Sequence, residues 1–490
     1  MDLAGIAQEL GLDAGTNGAA HVTGFAIDHR KIAPGNVFGA FQGTAVNGED
    51  FIPAAIASGA IAIIARPEAK VDGVLHLADA NPRRAFARAA SAFYRPVPAT
   101  VVAVTGTNGK TSTVEMTRQI WRMCGERAAS IGTLGVTTPD ESVSTGLTTP
   151  DIVTFLSNMS GLSREGVTHV AYEASSHGLS QYRNEGLAVK AGAFTNLSRD
   201  HLDYHSDMDD YFAAKMRLFA EVVDAGGTAV IWADDAWSGK ALHVAKTRGL
   251  RLFTVGKGGA DIMLLARDPG QLGQDLEISY EGQSRTLRLP LIGEYQVANA
   301  LVAAGLAIAT GSDPAAVFDA VGRLQPVRGR LERAAIAQSG APVYVDYAHT
   351  PDALSAAIAA LRPHVKGKLI TVFGAGGDRD AGKRAPMGEA AAAGSDVVIV
   401  TDDNPRGEDP AAIRAAVLQG APDAREVGDR RQAIAAAIAM AGAEDIVLVA
   451  GKGHEQGQII GRDGDMRILP FDDVTVAREC AAAIAGNTSS

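Results

Sequence analysis

The strongest chemical signal in the chain is the run Val101-Val-Ala-Val-Thr-Gly-Thr-Asn-Gly-Lys-Thr111. A buried strand that feeds a tight glycine loop, and then a helix from about Ser112, lets backbone N–H groups cradle a phosphate. Gly106 and Gly109 supply the turns, and Thr107, Asn108 and Ser112 complete the loop. Lys110 is placed to meet the β and γ phosphates of a nucleotide, and the Thr111 hydroxyl can ligate Mg²⁺ at the helix N-terminus. The lysine and threonine separate this loop from an ordinary strand-to-helix turn, although its usual first glycine is replaced by Val104. Two further residues stand at strand ends, where an open α/β sheet exposes its ligand crevice. Glu173 follows the apolar run Val167 to Tyr172, and His201 follows Ala191 to Thr195. Each also has the plain reading of a satisfied polar side chain. Lys215 lies in the helical stretch Tyr211-Phe-Ala-Ala-Lys-Met-Arg-Leu-Phe219 and, taken alone, reads as a solvated helix lysine.

Such residues must be carried by strands and helices. Apolar β-rich runs alternate with helical patterns through most of the chain, which predicts α/β domains on largely parallel sheets. From residue 1 to 95, short units such as Ile61-Ala-Ile-Ile64 accompany helices, and Asn81-Pro82 opens a helix reaching Tyr94. Arg95-Pro-Val-Pro98 reads as a linker, and Arg323-Leu-Gln-Pro326 marks a second boundary after the helix Gln296 to Thr310. Strand candidates Val343 to Val345, Leu369 to Phe373, Val397 to Val400 and Ile446 to Val449 then alternate with helices, a doubly wound pattern. The expectation is three domains, 1–95, 96–325 and 326–490.

A chain of 490 residues exceeds what one hydrophobic core sustains. Lys plus Arg number 45 against 56 Asp plus Glu, a net charge of −11 with no dense basic run, so no nucleic-acid footprint is present and small molecules are the expected partners. Only Cys124 and Cys480 occur, too few for a disulfide framework, which fits a reducing compartment. The opening Met1-Asp2-Leu3 has neither a basic segment nor a long apolar core. The longest apolar stretch, Ala433 to Ala443, falls well short of the ~20 residues of a membrane span. A cytoplasmic protein without a membrane span is expected.

The shortened loop Thr105-Gly-Thr-Asn-Gly-Lys-Thr111 resembles that of Mur ligases and folylpolyglutamate synthetases. Glu173-Ala-Ser-Ser-His-Gly-Leu179, Thr195-Asn-Leu-Ser-Arg-Asp-His-Leu-Asp-Tyr-His205, Asp346-Tyr-Ala-His-Thr-Pro351, Gly376-Gly-Asp-Arg-Asp380, Asp403-Asn-Pro-Arg406 and Gly451-Lys-Gly-His-Glu455 look like the MurE-type branch of the Mur ligase family, in the family's order. Asp28-His-Arg-Lys-Ile-Ala-Pro-Gly-Asn-Val-Phe38 is similar to its uridine-binding segment. The resemblance implies an N-terminal uridine-nucleotide-binding α/β domain, a central P-loop ATPase-like parallel sheet and a C-terminal Rossmann-like doubly wound domain. It implies an ATP-dependent amide-bond ligase, acting as a monomer, that joins meso-diaminopimelate to UDP-N-acetylmuramoyl-L-alanyl-D-glutamate through an acyl phosphate in peptidoglycan precursor synthesis.

The resemblance also distributes roles. Glu173 and His201, with Thr111, would hold Mg²⁺, and Lys215 matches the family lysine that CO₂ converts to a carbamate and that helps anchor a second ion. That reaction needs a neutral amine, which a desolvated site supplies. Asn299, Arg330, Asp346 and His349 would lie at the nucleotide, with Lys110, Lys215, His201 and His349 in the catalytic group. His29, Thr44, Ala45, Val46, Thr148, Thr149, Ser175, Gln181 and Arg183 would hold the UDP-muramoyl dipeptide. Two positions depart from the family: His29 stands where serine is usual, and Leu147 where asparagine often precedes the Thr-Thr pair. For the amine, Asp403, Asn404, Pro405 and Arg406 are the reading motif, with Arg379, Gly451 and Glu455 beside it. Meso-diaminopimelate differs from lysine by a distal carboxylate, and the forked guanidinium of Arg406 is its natural partner. As plain structure the Asn-Pro pair is a turn, and Asp409-Pro410 caps the next helix.

Competing readings within the class are a lysine-adding Mur ligase, a later Mur ligase that adds a dipeptide, and a folylpolyglutamate synthetase. Outside it stands a P-loop nucleotide switch, against which the chain lacks an Asn-Lys-x-Asp guanine-reading element and carries a further α/β region after Pro326.

Overall fold

The structure is a computed structural model that describes residues 1–15, 18–43, 46–138, 140–143, 148–200, 204–378 and 380–486. Thr44, Ala45, Leu147, His201 and Arg379 therefore lie outside the described residues. The chain divides into two compact units, Met1–Ile262 with Leu301–Val317, and Met263–Ala300 with Phe318–Ser490.

The first unit opens with four parallel strands in chain order, Gly24–Ala26, Asn36–Gly39, Ala62–Ala65 and Leu75–Ala78. Their side chains alternate between two apolar clusters. Ala62 and Ile64 join one, and Ile63 and Ala65 the other, so this strand is fully buried as a sheet covered on both faces requires. The helix Pro82–Phe93 starts where Asn81 accepts from the Arg84 N–H and Pro82 fixes the first turn, and it buries Phe86, Ala89 and Ala90.

The same unit contains a second sheet in the order Arg251–Gly256, Val223–Trp232, Val189–Phe194, Thr100–Thr105, His169–Glu173, Ala128–Gly132, Gly135–Thr137 and Ser142–Val143. The first six are mutually parallel. Register places Phe194 beside Thr105 and Val104 beside Glu173, so three neighbouring strands end level with one another. The loops that follow them therefore gather at one edge, the crevice side of a parallel sheet.

The last two strands of that sheet add on antiparallel, and the second unit also contains antiparallel pairing within its largely parallel plan. Gly273–Tyr280 and Gln283–Leu289 form an antiparallel hairpin, with Tyr280 opposite Gln283. Its two-residue turn, Glu281-Gly282, has φ of 51° and 75°, the backbone that a tight hairpin turn demands. The alternating burial of Leu276, Ile278 and Tyr280 supplies the period-2 face that fixes the register.

The main sheet of this unit runs Glu332–Ile336, Pro342–Asp346, Ile446–Ala450, Leu369–Phe373, Val397–Val400 and Arg425–Glu426, parallel except for its first strand. Leu369, Phe373, Ile446 and Leu448 face one helical layer, and Ile370, Val372, Val447 and Val449 face the other. Each such side chain contributes roughly 1.5–3 kcal/mol by leaving water. This is the doubly wound arrangement. Insertion of Ile446–Ala450 beside Pro342–Asp346 puts the ends of the four central strands, at Asp346, Phe373, Val400 and Ala450, along one edge.

Candidate active site

At the first unit's crevice, the Thr100–Thr105 strand turns at Gly106 and enters the helix Lys110–Met123. The helix starts at Lys110, two residues before the position predicted. Gly106 has φ of 152°, and a Cβ there would overlap the Thr195 hydroxyl, while Gly109 at φ 85° forms the helix N-cap. Only glycine satisfies both demands. Val104, where a first loop glycine is usual, is instead a buried strand residue paired with Glu173, so the loop is shortened by a longer strand.

The next strand's exit locks the loop. Thr195 Oγ1 donates to the Asn108 carbonyl at 2.6 Å, Asn196 Oδ1 accepts from the Asn108 N–H at 2.9 Å, and the Ser198 N–H donates to Thr107 Oγ1 at 3.0 Å. Tyr211 OH lies 3.3 Å from the same threonine oxygen.

Two ammonium groups converge on one carbonyl. Lys110 Nζ donates to Gly106 O at 3.0 Å and Thr107 O at 2.8 Å, and Lys215 Nζ donates to Gly106 O at 2.8 Å. Lys215 is only 1 % exposed, on the helix Met208–Arg217, with its ammonium 4.4 Å from the Tyr211 ring centroid. The reading as a solvated helix lysine is thus wrong, because the helix turns Tyr211, Lys215 and Phe212 inward together. Burial, reinforced by the charge of Lys110 and opposed by Asp200, pushes its ammonium well below the ordinary lysine range.

Glu173, 2 % exposed at its strand end, accepts from the Thr133 N–H at 2.7 Å and from Thr133 Oγ1 at 3.3 Å. Thr111 is likewise buried. A buried carboxylate at a strand end and a buried hydroxyl in the first turn of the helix that follows the neighbouring strand are oxygen donors of the kind that suits a hard cation. Among the described residues no group of three or more His, Cys, Asp or Glu gathers as a metal site, and His201 is outside them.

The residues expected at the UDP-substrate fall into two groups. Thr149 Oγ1 donates to Glu173 O at 2.9 Å and lies 3.0 Å from Ser175 Oγ, Arg183 Nη1 donates to Thr149 O at 3.0 Å, and Arg183 Nη2 donates to Gln181 Oε1 at 2.7 Å. Thr148 Oγ1 lies 3.0 Å from Thr133 Oγ1. Thr148, Thr149, Ser175, Gln181 and Arg183 are therefore one hydrogen-bonded assembly beside Glu173. His29 and Val46 instead follow the first two strands of the N-terminal sheet. The His29 ring stacks on Phe51 with centroids 4.3 Å apart, a contact that serine could not make, and Val46 is exposed.

In the second unit Asn299 Nδ2 donates to Gln296 Oε1 at 3.1 Å, and Gln296 Nε2 donates to Arg330 O at 2.9 Å. The Arg330 guanidinium stands 5.1 Å from the Tyr347 ring centroid, and the Tyr347 ring packs at a tilt against His349 at 4.6 Å and His454 at 4.8 Å. Asp346 accepts from the Leu331 and Ala348 N–H groups and is raised by burial, while burial and the neighbouring cations bring His454 down to about 4. Asn299, Arg330, Asp346 and His349 thus share one neighbourhood.

The motif expected to read the amine follows Val397–Val400. Asn404 Nδ2 donates to Glu455 Oε2 at 3.0 Å, and Asn404 Oδ1 accepts from Lys452 Nζ at 2.7 Å and the Ile459 N–H at 3.0 Å. A Cβ on Gly451 would crowd the Asp403 carboxylate at 2.6 Å. Arg406, at φ 53°, donates through Nη1 to Gly377 O at 2.8 Å. Asp403, Asn404, Arg406, Gly451 and Glu455 are thus gathered, with Pro405 shaping the turn. The start of the next helix is separate: Asp409 caps Pro410–Leu418 as expected.

Sequence reasoning passed over Tyr211, Thr133, Gln296, Tyr347, Lys452 and His454. Lys452 and His454 sit inside a motif already singled out, Gly451 to Glu455, so their signal was available. Nothing local marked Thr133 or Gln296.

Models of the Mur ligase family, catalytic domain, the Mur ligase middle domain, and the Mur ligase, glutamate ligase domain match residues 21–100, 104–307 and 329–453. A UDP-N-acetylmuramoyl-L-alanyl-D-glutamate–2,6-diaminopimelate ligase of Zymomonas mobilis is 60 % identical over 458 residues, covering 94 % of each chain. The enzyme of the same name from Bradyrhizobium diazoefficiens is 52 % identical over 95 % of this chain and 96 % of its own. A solved structure with that name superposes with a TM-score of 0.77 at 32 % identity, covering 99 % of this chain and 100 % of the other. The phosphate loop, the buried lysine beside it and the gathered motifs of the second unit thus occur in a chain whose relatives and fold agree throughout, and the chain belongs to the Mur ligase family.

Proposed function

We propose that the chain is an ATP-dependent ligase that joins meso-diaminopimelate to UDP-N-acetylmuramoyl-L-alanyl-D-glutamate, releasing ADP and phosphate. The observation that carries the choice of amine is the Asp403–Arg406 turn, where a guanidinium and the Asn404–Glu455 pair offer separate partners for a distal carboxylate and an ammonium group. The names of the curated relatives support the same substrates.

In this reading the glycine loop binds the nucleotide phosphates and Lys110 neutralises charge on the group being transferred. The dipeptide carboxylate takes the γ-phosphoryl group, and the amine attacks the resulting acyl phosphate. No nucleophilic side chain takes part. Thr149, Ser175, Gln181 and Arg183 position the UDP-linked substrate, with the 44–46 segment and His29 at its sugar end. Thr111, Glu173 and His201 would hold Mg²⁺, whose positive charge offsets the phosphate oxygens. Two ammonium groups on one buried carbonyl repel each other, and conversion of Lys215 to a carbamate turns that repulsion into attraction and supplies an oxygen ligand. Asn299, Arg330, Asp346 and His349 would serve the nucleotide, and Arg379 would add charge at the amine site.

The reading takes three domains, 1–95, 96–325 and 326–490, which the spans of the three family models support. It takes one chain as the working unit, since that chain carries all three, and a cytoplasmic location, where ATP and UDP-linked precursors are present. No helix among the described residues is long and apolar enough to cross a membrane. The test is ADP release by the purified protein with the UDP-dipeptide and, in turn, meso-diaminopimelate, lysine, D-alanyl-D-alanine and glutamate. Turnover with diaminopimelate is expected, and a preference for lysine would overturn the assignment.

A further inference from the structure

Among the described residues of the second unit, four that are not glycine hold left-handed backbone, and two of them, Asp378 at φ 52° and Arg406 at φ 53°, meet in one place. Such a residue is strained and persists only where its surroundings over-determine it. Here the two strained residues face each other, and the hairpin Gly457–Ile460 and Arg467–Pro470 holds both. The Arg406 N–H donates to Ile459 O at 3.0 Å, and the Gly461 N–H donates to Arg406 O at 2.7 Å, so the turn is paired to the hairpin edge through a short bridge.

One residue further along the hairpin, Arg462 lies across Gly407, where any Cβ would overlap its side chain. Its Nε donates to Asp378 Oδ2 at 2.8 Å and its Nη2 to Asp378 Oδ1, a two-pronged pair. The same Asp378 Oδ2 accepts from the Gly407 N–H at 3.0 Å. Asp378 therefore ties the residue after Arg406 to the hairpin, and the Asp378 turn brings in Gly376 and Gly377, on which the Arg406 guanidinium rests: Nη1 bonds Gly377 O, and a Cβ on Gly376 would stand 2.9 Å from it.

We propose that Arg462, acting through Asp378, is a positioning residue for substrate choice: it fixes the Arg406 guanidinium to receive the distal carboxylate of the amine. The inference rests on the reading of Arg406 given above and deepens it. Arg462 touches no substrate. It holds a strained turn in the one geometry that aims the fork, and without that staple the turn relaxes and the guanidinium must be ordered anew each time the amine binds.

The test is a double-mutant cycle on the full-length protein, with KM for meso-diaminopimelate measured at saturating ATP and UDP-dipeptide. Arg462→Met is expected to raise that KM about five- to tenfold, the scale of a two-pronged pair that is partly exposed. KM for ATP and kcat should stay within twofold. In an Arg406→Ala background the same substitution should change the KM by less than twofold, because its effect passes through Arg406. Asp378→Asn should reproduce the Arg462→Met effect, and Arg462→Lys should recover part of it. An equal rise in both backgrounds, or no rise at all, overturns the inference while leaving the function intact. If Arg406→Ala by itself leaves the KM for diaminopimelate unchanged, the reading of Arg406 fails and this inference falls with it.

Discussion

Replacing Lys215 with methionine separates catalysis from stability. The ammonium is 1 % exposed, makes a 2.8 Å bond to Gly106 O and lies against Tyr211. Its removal costs a charged hydrogen bond, about 1.5–3 kcal/mol, and a cation–π contact of about 0.5–2 kcal/mol. Against this, the wild type gives up several kcal/mol to bury an ammonium group, and more to keep it beside Lys110. The Gly106 carbonyl is not stranded, since Lys110 still donates to it at 3.0 Å. Methionine keeps most of the volume, so the cavity term is small. In CO₂-free buffer the variant should melt no lower than wild type, and the balance leaves it up to roughly 3 kcal/mol more stable. Its ligase rate should nevertheless fall at least ~10²-fold. Bicarbonate should raise the melting temperature of wild type by carbamylating the amine and leave the variant unmoved. Lys215→Ala, which vacates space, should recover some rate with acetate. Calorimetry and ADP release decide it. Turnover within tenfold of wild type, or destabilisation above about 2 kcal/mol, would refute the reasoning that this ammonium is held at a cost for catalysis.

Lys110→Met should lower kcat at least ~10²-fold with little change in melting temperature, since it removes charge at the phosphate and little packing. Gly106→Ala should fail to accumulate or melt far below wild type, because its Cβ would overlap Thr195 at a backbone angle alanine avoids, and a normal melt would show that the loop has other freedom. Arg406→Ala should weaken meso-diaminopimelate by roughly 2–5 kcal/mol in kcat/KM, the cost of stranding its distal carboxylate, and lysine hardly at all. Asp378 is held down to about 2 by Arg462 from the usual 3.8, so its tie is complete above pH ~4 and is lost as pH falls toward 2. NMR titration of the carboxyl should show this, and Arg462→Met should return it toward the ordinary value.

The legible parts were those whose cause is local. Leu369–Phe373 and Val397–Val400 begin and end where their β-branched and aromatic runs do, because a strand buried on both faces is nearly continuous in apolar residues. Asn81-Pro82, Asp409-Pro410 and the Gly106–Thr111 loop announced themselves in a few adjacent residues, since a cap or a phosphate loop is built from neighbours. The antiparallel hairpin at 273–289 was missed although Glu281-Gly282 and the alternation around it carried the signal.

The burial of Lys215 and the reach of Arg462 were beyond local reading for a physical reason. Sequence gives a lysine on an amphipathic helix a charge and a spacing, but its burial depends on Gly106, 109 residues earlier, arriving at the same point. Arg462 reaches Asp378 across 84 residues, and the strain at Asp378 and Arg406 exists only because both turns meet one hairpin. The sequence by itself determined which residues could do chemistry and which runs would become strands. Tertiary structure decided which of those residues lose water, which share a partner and which backbone is held under strain, because desolvation and strain belong to the assembled neighbourhood and to no single stretch of chain.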